Sequence, residues 1–181
     1  MEYPKYAKVN GKKYPINTSY KVALRCFDVI NDNDISDTER SLAVIYLLYG
    51  FVPDSDLEKF LDIAIRYLGC GETQEEQRHR NRDMDFQQDW GYIVASFASD
   101  YHIDLSQSDM HFYQFVELIQ GLTEHSVLSR VREIRNYDLS TIKDAKTRSK
   151  MAQAKDDLKL KEELSEEEKD ALDEFESLFQ K

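Results

Sequence analysis

Along most of this chain the apolar residues recur three and four positions apart, the spacing of a helix face. Tyr20, Ala23, Leu24, Phe27 and Ile30 share one side of a predicted helix that Thr18 or Ser19 can cap and that runs to about Asn31. Ser36 and Glu39 have the spacing of a capping box and open a second helix that ends at Gly50. Its centre, LAVIYLLY (42–49), is apolar almost all round and is expected to be the most buried element. Pro53 and Asp54 restart the chain, and Leu57, Phe60, Leu61, Ala64, Ile65 and Leu68 then form a stripe that Gly69 ends. A second helical half begins near Asp85. There Phe86, Trp90, Ile93, Val94, Phe97 and Tyr101 give the cleanest amphipathic pattern, with Trp90 in mid-stripe and therefore expected to be buried. Phe112, Phe115, Val116 and Ile119 predict a helix that stops at Gly121. Thr123 is the expected cap of a shorter one carrying Val127, Leu128, Val131 and Ile134.

Three stretches break this rhythm. Asn10-Gly11, between the β-capable runs Tyr6–Val9 and Lys12–Ile16, is the sequence of a type I′ hairpin, because both central residues need positive φ. Pro15 cannot donate to a ladder, which predicts a short ribbon at an edge. The segment GCGETQEEQRHRNR (69–82) has no apolar residue apart from Cys70 and reads as an exposed, mobile loop. After Asn136 the chain becomes dense in charge, and up to Leu164 the apolar positions are too sparse to bury a helix face. Ser165 and Glu168 then repeat the capping-box spacing, and Leu172, Phe175, Leu178 and Phe179 make a narrow apolar stripe on an acidic helix. The fold expected is mainly α. A hairpin (1–16) precedes a helical core domain (17–136), and a charged C-terminal helical extension (137–181) follows.

The chain has 181 residues and a net charge of -11, which disfavours attraction to nucleic acid unless a basic patch is segregated. No run approaches the length of a membrane span, and the N-terminus has no apolar signal core. Cys26 and Cys70 need not pair, and the expected state is two thiols. His79, His102, His111 and His125 are scattered and match no zinc spacing. The pairs Asp32/Asp34 and Asp83/Asp85 lack the glycine and closing glutamate of a calcium loop and read as carboxylates preceding helices. Gly69-Cys70-Gly71 lacks the ending of a phosphate loop, and no nucleophile elbow occurs. No catalytic, cofactor or metal site is expected. The aromatic load, eleven Tyr, nine Phe and one Trp, is heavy for this length. In HFYQF (111–115) the rings point to more than one face, so His111, Phe112, Tyr113 and Phe115 are expected to include partner-binding residues. Leu172, Phe175, Leu178 and Phe179 are the second such set, suited to a weak contact, either folded back on the domain or docked on a partner such as a second copy.

Several collinear motifs carry a resemblance. VNGKKYPIN (9–17), DMDFQQDWGYIVASFASDYHIDL (83–105), HFYQFVELIQGL (111–122) and YDLSTIKDAKTRSKMAQAK (137–155) occur in an order similar to that of the phage "gene product fifteen" group of siphophage and prophage tail-module proteins. The resemblance implies a non-enzymatic tail-assembly chaperone that keeps the tape-measure protein soluble while tail-tube proteins assemble around it. It implies action in the host bacterial cytoplasm and absence from the mature virion. The alternative is a permanent minor tail or connector protein. Phe112-Tyr113-Gln114 stands where the family pattern has two tryptophans and a basic residue, and the family implies no catalytic residues.

Overall fold

The computed structural model describes residues 2–71 and 82–161. Two strands, β1 (Tyr6–Val9) and β2 (Lys12–Pro15), form an antiparallel hairpin. Among the described residues seven α-helices follow: α1 (Tyr20–Ile30), α2 (Asp37–Tyr49), α3 (Leu57–Leu68), α4 (Trp90–Tyr101), α5 (Phe112–Gln120), α6 (Val127–Asn136) and α7 (Ala145–Asp157). The chain divides into two compact units, Met1–Glu133 and Ile134–Lys181.

In the first unit the hairpin turn follows its sequence. Asn10 has φ 49° and Gly11 φ 83°, the two positive values a type I′ turn demands. The register pairs Tyr6 with Pro15, Ala7 with Tyr14, Lys8 with Lys13 and Val9 with Lys12. Ala7 and Val9 are buried, so the pleat turns Tyr6 and Lys8 outward. Ser19 caps α1 by accepting from the Lys21 N–H. Ser36 and Glu39 form the reciprocal capping box of α2, and Gly50 ends that helix at φ 76°. Packing brings α1 against α2 and α5, α2 against α3, and β1 against α3.

The ties that hold this unit are non-local. The N-termini of α1 and α5 exchange backbone hydrogen bonds, Tyr20 N–H to the Met110 carbonyl at 3.0 Å and Phe112 N–H to the Thr18 carbonyl at 2.8 Å. Tyr20 is buried, and its hydroxyl donates to the Leu105 carbonyl at 2.6 Å. Ser96 is buried on α4 and accepts the Leu128 N–H at 3.0 Å, fixing the start of α6. Each bond satisfies a group that would otherwise be orphaned away from water.

Two expectations are corrected. Trp90 is not in mid-stripe but is the first residue of α4, and it is half-buried; Ile93 and Phe97 are the fully buried positions. The helix starts late because the Asp85 carboxylate accepts the Gln87 and Gln88 N–H groups at 2.9 and 2.8 Å, closing a turn over residues 86–89. Thr123 does not cap α6. Its N–H and hydroxyl both donate to Asp100 at 2.8 Å, and Ser126 accepts the Ser129 N–H instead. As for α2, its neighbours cover one side. Val44, Ile45, Leu48 and Tyr49 are buried, whereas Tyr46 is 59% exposed, because the neighbours α1 and α3 cannot cover the whole girdle of the helix.

The second unit contains a 3₁₀ turn, Leu139–Thr141, and α7. Asp138 caps the turn through the Ser140 N–H, and Asp144 caps α7 through the Thr147 N–H at 2.6 Å. The Lys155 ammonium donates to the Tyr137 carbonyl at 2.9 Å and the Arg135 guanidinium to the Leu158 carbonyl at 2.6 Å. No residue of α7 is buried, in line with its sparse apolar positions. Caps and carbonyl clamps take the place of a core there.

Candidate partner-binding surface

The HFYQF segment opens α5, and the structure splits its aromatic residues into two groups. Phe112 and Phe115 are fully buried. The Phe115 ring stacks on Tyr20 at 4.6 Å and lies 5.4 Å from Phe97 and 6.1 Å from Phe86. These two phenylalanines are core residues in this fold. His111 and Tyr113 are half-buried.

His111 is the N-cap of α5. Its Nδ1 accepts the Tyr113 N–H at 3.0 Å while Nε2 lies 2.9 Å from the Pro4 carbonyl. One ring nitrogen must accept and the other must donate, so the geometry assigns the neutral tautomer with the proton on Nε2. Tyr3 stacks on the His111 ring at 4.8 Å, and its hydroxyl donates to Glu117. Tyr67 stacks on Tyr113 at 5.2 Å. The N-terminal residues are thus pinned onto α5 by a histidine more than a hundred positions away. Substituting His111 by Asn keeps a good cap but loses the stack and the Pro4 bond, whereas Ala loses all three. His111→Ala is expected to lower unfolding free energy by about 1–2 kcal/mol and His111→Asn by less. Urea titration of the two variants checks the order.

The titratable groups around this cluster are placed for packing. Burial pushes the Tyr113 phenol up to about 12, with the nearby Cys70 adding to the effect. Burial likewise raises Tyr67, whose hydroxyl is sealed from water without a hydrogen-bond partner. Cys26 is completely buried, and its thiol is raised to about 12, chiefly by burial and then by Asp28. A thiol so held is protonated at neutral pH and a poor nucleophile. Cys26 is a free thiol. Among the described residues no three His, Cys, Asp or Glu side chains gather closely enough to hold a metal ion. A cavity of about 220 Å³ between the end of α1 and residues 82–87 is lined by Phe27, Asn31, Met84, Asp85 and Phe86, among others. It is small for a ligand pocket and holds no nucleophile–base pair. No described helix is long and apolar enough to cross a membrane.

Besides Tyr6 and Val127, the first unit exposes large apolar side chains at the end of α2 and the start of α3. Tyr46 is 59%, Val52 45%, Leu57 39% and Phe51 37% exposed. Phe51 is anchored by the rings of Phe60 and Tyr14, both at 5.9 Å, and by Tyr49 at 6.4 Å. Exposed large apolar side chains near a rigidly held ring are candidates for a protein-binding site. Sequence reasoning placed the sticky surface elsewhere. The signal for this one lay in the length of the apolar run 42–52, which exceeds what one helix face can bury. Leu172, Phe175, Leu178 and Phe179 lie outside the described residues.

No curated protein and no solved structure matches this chain. One family does match: that described as Bacteriophage Gp15 protein, over residues 3–160. The match runs from the tyrosine that stacks on His111, through the hairpin and every described helix, to the residues after α7. The chain therefore belongs to the Bacteriophage Gp15 protein family.

Proposed function

We propose that this protein is a tail-assembly chaperone that binds the phage tape-measure protein in the host cytoplasm while tail-tube proteins assemble. Membership of a phage protein family over residues 3–160 carries the reading, together with the tail-module motifs on which the resemblance rests. The exposed Tyr46, Phe51, Val52 and Leu57 suit the task, because a chaperone must cover apolar helical segments reversibly. A net charge of -11 keeps such a surface soluble between encounters. The chemistry is binding alone: a long helical client loses exposed apolar area to the chaperone until tube subunits replace it.

A chaperone leaves the finished particle and a minor tail protein stays. Mass spectrometry of purified virions is expected to find tape-measure and tube proteins but not this chain. Its recovery in fixed proportion to the tube subunits would establish the structural role instead.

A further inference from the structure

The hairpin breaks a local rule. Lys8 and Lys13 are directly opposed across the two strands, and like charges in that position destabilise a ribbon. Both are exposed, on the face that also carries Tyr6 at 59% exposure. Lys12 adds a third exposed ammonium at the turn, and Lys5 a fourth, paired with Glu2 at 2.9 Å. No acid is paired with Lys8, Lys12 or Lys13 among the described residues. In a chain of net charge -11 this is a strongly segregated basic patch with an aromatic ring in it.

The same chain carries the complement. Beyond Lys161, residues 162–181 hold nine acidic and two basic residues, a net of -7, together with Leu172, Phe175, Leu178 and Phe179. We propose that the outer face of the hairpin, Tyr6, Lys8 and Lys13, is a docking surface for residues 162–181 of a second copy of this chain. The carboxylates neutralise the opposed lysines, and the exposed Tyr6 ring with the lysine methylene stems receives the apolar side chains. Two different surfaces meet in such a contact, so two copies satisfy it reciprocally as a closed dimer, or a series of copies satisfies it head to tail. The inference is independent of the chaperone reading and survives its failure.

A charge-swap series on the full-length chain tests it by sedimentation velocity across concentration at low and physiological salt. The wild type is expected to self-associate, more strongly at low salt. Lys8→Glu with Lys13→Glu should raise the dissociation constant at least about tenfold. Glu167→Lys with Glu168→Lys should do the same, and combining the four should restore association. Thermal melts of the hairpin variant should show no loss of folding, since both lysines are exposed. A wild type that stays monomeric at every concentration, association indifferent to either pair, or no restoration in the combined variant would overturn the proposal. So would a hairpin that binds a DNA oligomer while copies of the chain ignore one another.

Discussion

Phe115→Ala is expected to cost about 3–5 kcal/mol of unfolding free energy, the largest effect of any single truncation considered. Phe115 is fully buried and meets Tyr20 from α1, Phe97 from α4 and Phe86 from the turn that precedes α4. Removing the ring deletes apolar burial and leaves a cavity at the junction of three chain segments, none of which can collapse into it without breaking its own bonds. Tyr20 is tied to the Leu105 carbonyl and the start of α4 to the Asp85–Asp89 turn. Against a typical total of about 5–15 kcal/mol, the loss is a large fraction of all stability. Urea unfolding monitored by circular dichroism should show a much lower midpoint at an unchanged slope. Tyr46→Ala, at the exposed end of the range, should move the midpoint by less than about 0.5 kcal/mol equivalent. Similar losses in the two variants would mean that the aromatic residues of α5 are not core.

The second large effect depends on pH. Asp85 sits at the edge of burial, and its carboxylate accepts the N–H groups of Gln88 and Gln87 while pairing with Arg82. Burial alone would raise its pKa. The backbone N–H bonds and the Arg82 guanidinium outweigh that and hold it below the ordinary aspartate range. A carboxyl depressed in the folded state contributes stability above its unfolded pKa, and that contribution is lost as pH falls through the folded value. Asp85→Asn should therefore cost about 1–3 kcal/mol at neutral pH, since the amide offers a weaker acceptor and no charge to Arg82. The gap between wild type and variant should close as pH drops below about 4. A constant gap between neutral pH and pH 3 would show that the Asp85 charge does not support the turn.

Local chemistry was legible in the sequence and long-range chemistry was not. The Asn10-Gly11 turn, the Ser36/Glu39 box and the Gly50 stop were readable because each is decided within a few residues by backbone sterics and one side-chain bond. The start of α4 was misplaced because the Asp85 side chain competes for backbone N–H groups that helix periodicity assigns to the helix. Ser126 and Thr123 exchanged roles because Asp100, a residue of another helix, takes up the Thr123 donors. The aromatic residues of HFYQF gave correct periodicity, but not which ring meets Tyr20 and which meets Tyr67. That depends on the placement of α1 and α3, which no short window contains. The candidate surface on α2 followed the same logic in reverse: periodicity showed an excess of apolar residues, and only the neighbours decided that Tyr46, Val52 and Leu57 stay uncovered.

The proposed chaperone role requires that a tape-measure protein stay soluble while its apolar segments are covered. The direct measurement is the soluble fraction of the tape-measure protein of the same phage, expressed in bacteria with this chain, with its Tyr46→Glu/Val52→Glu variant, or with an unrelated acidic helical protein. A several-fold rise is expected with the wild-type chain, a clear loss of that rise in the variant, and none with the unrelated protein. Equal soluble yield with the wild-type chain and the unrelated protein would contradict it.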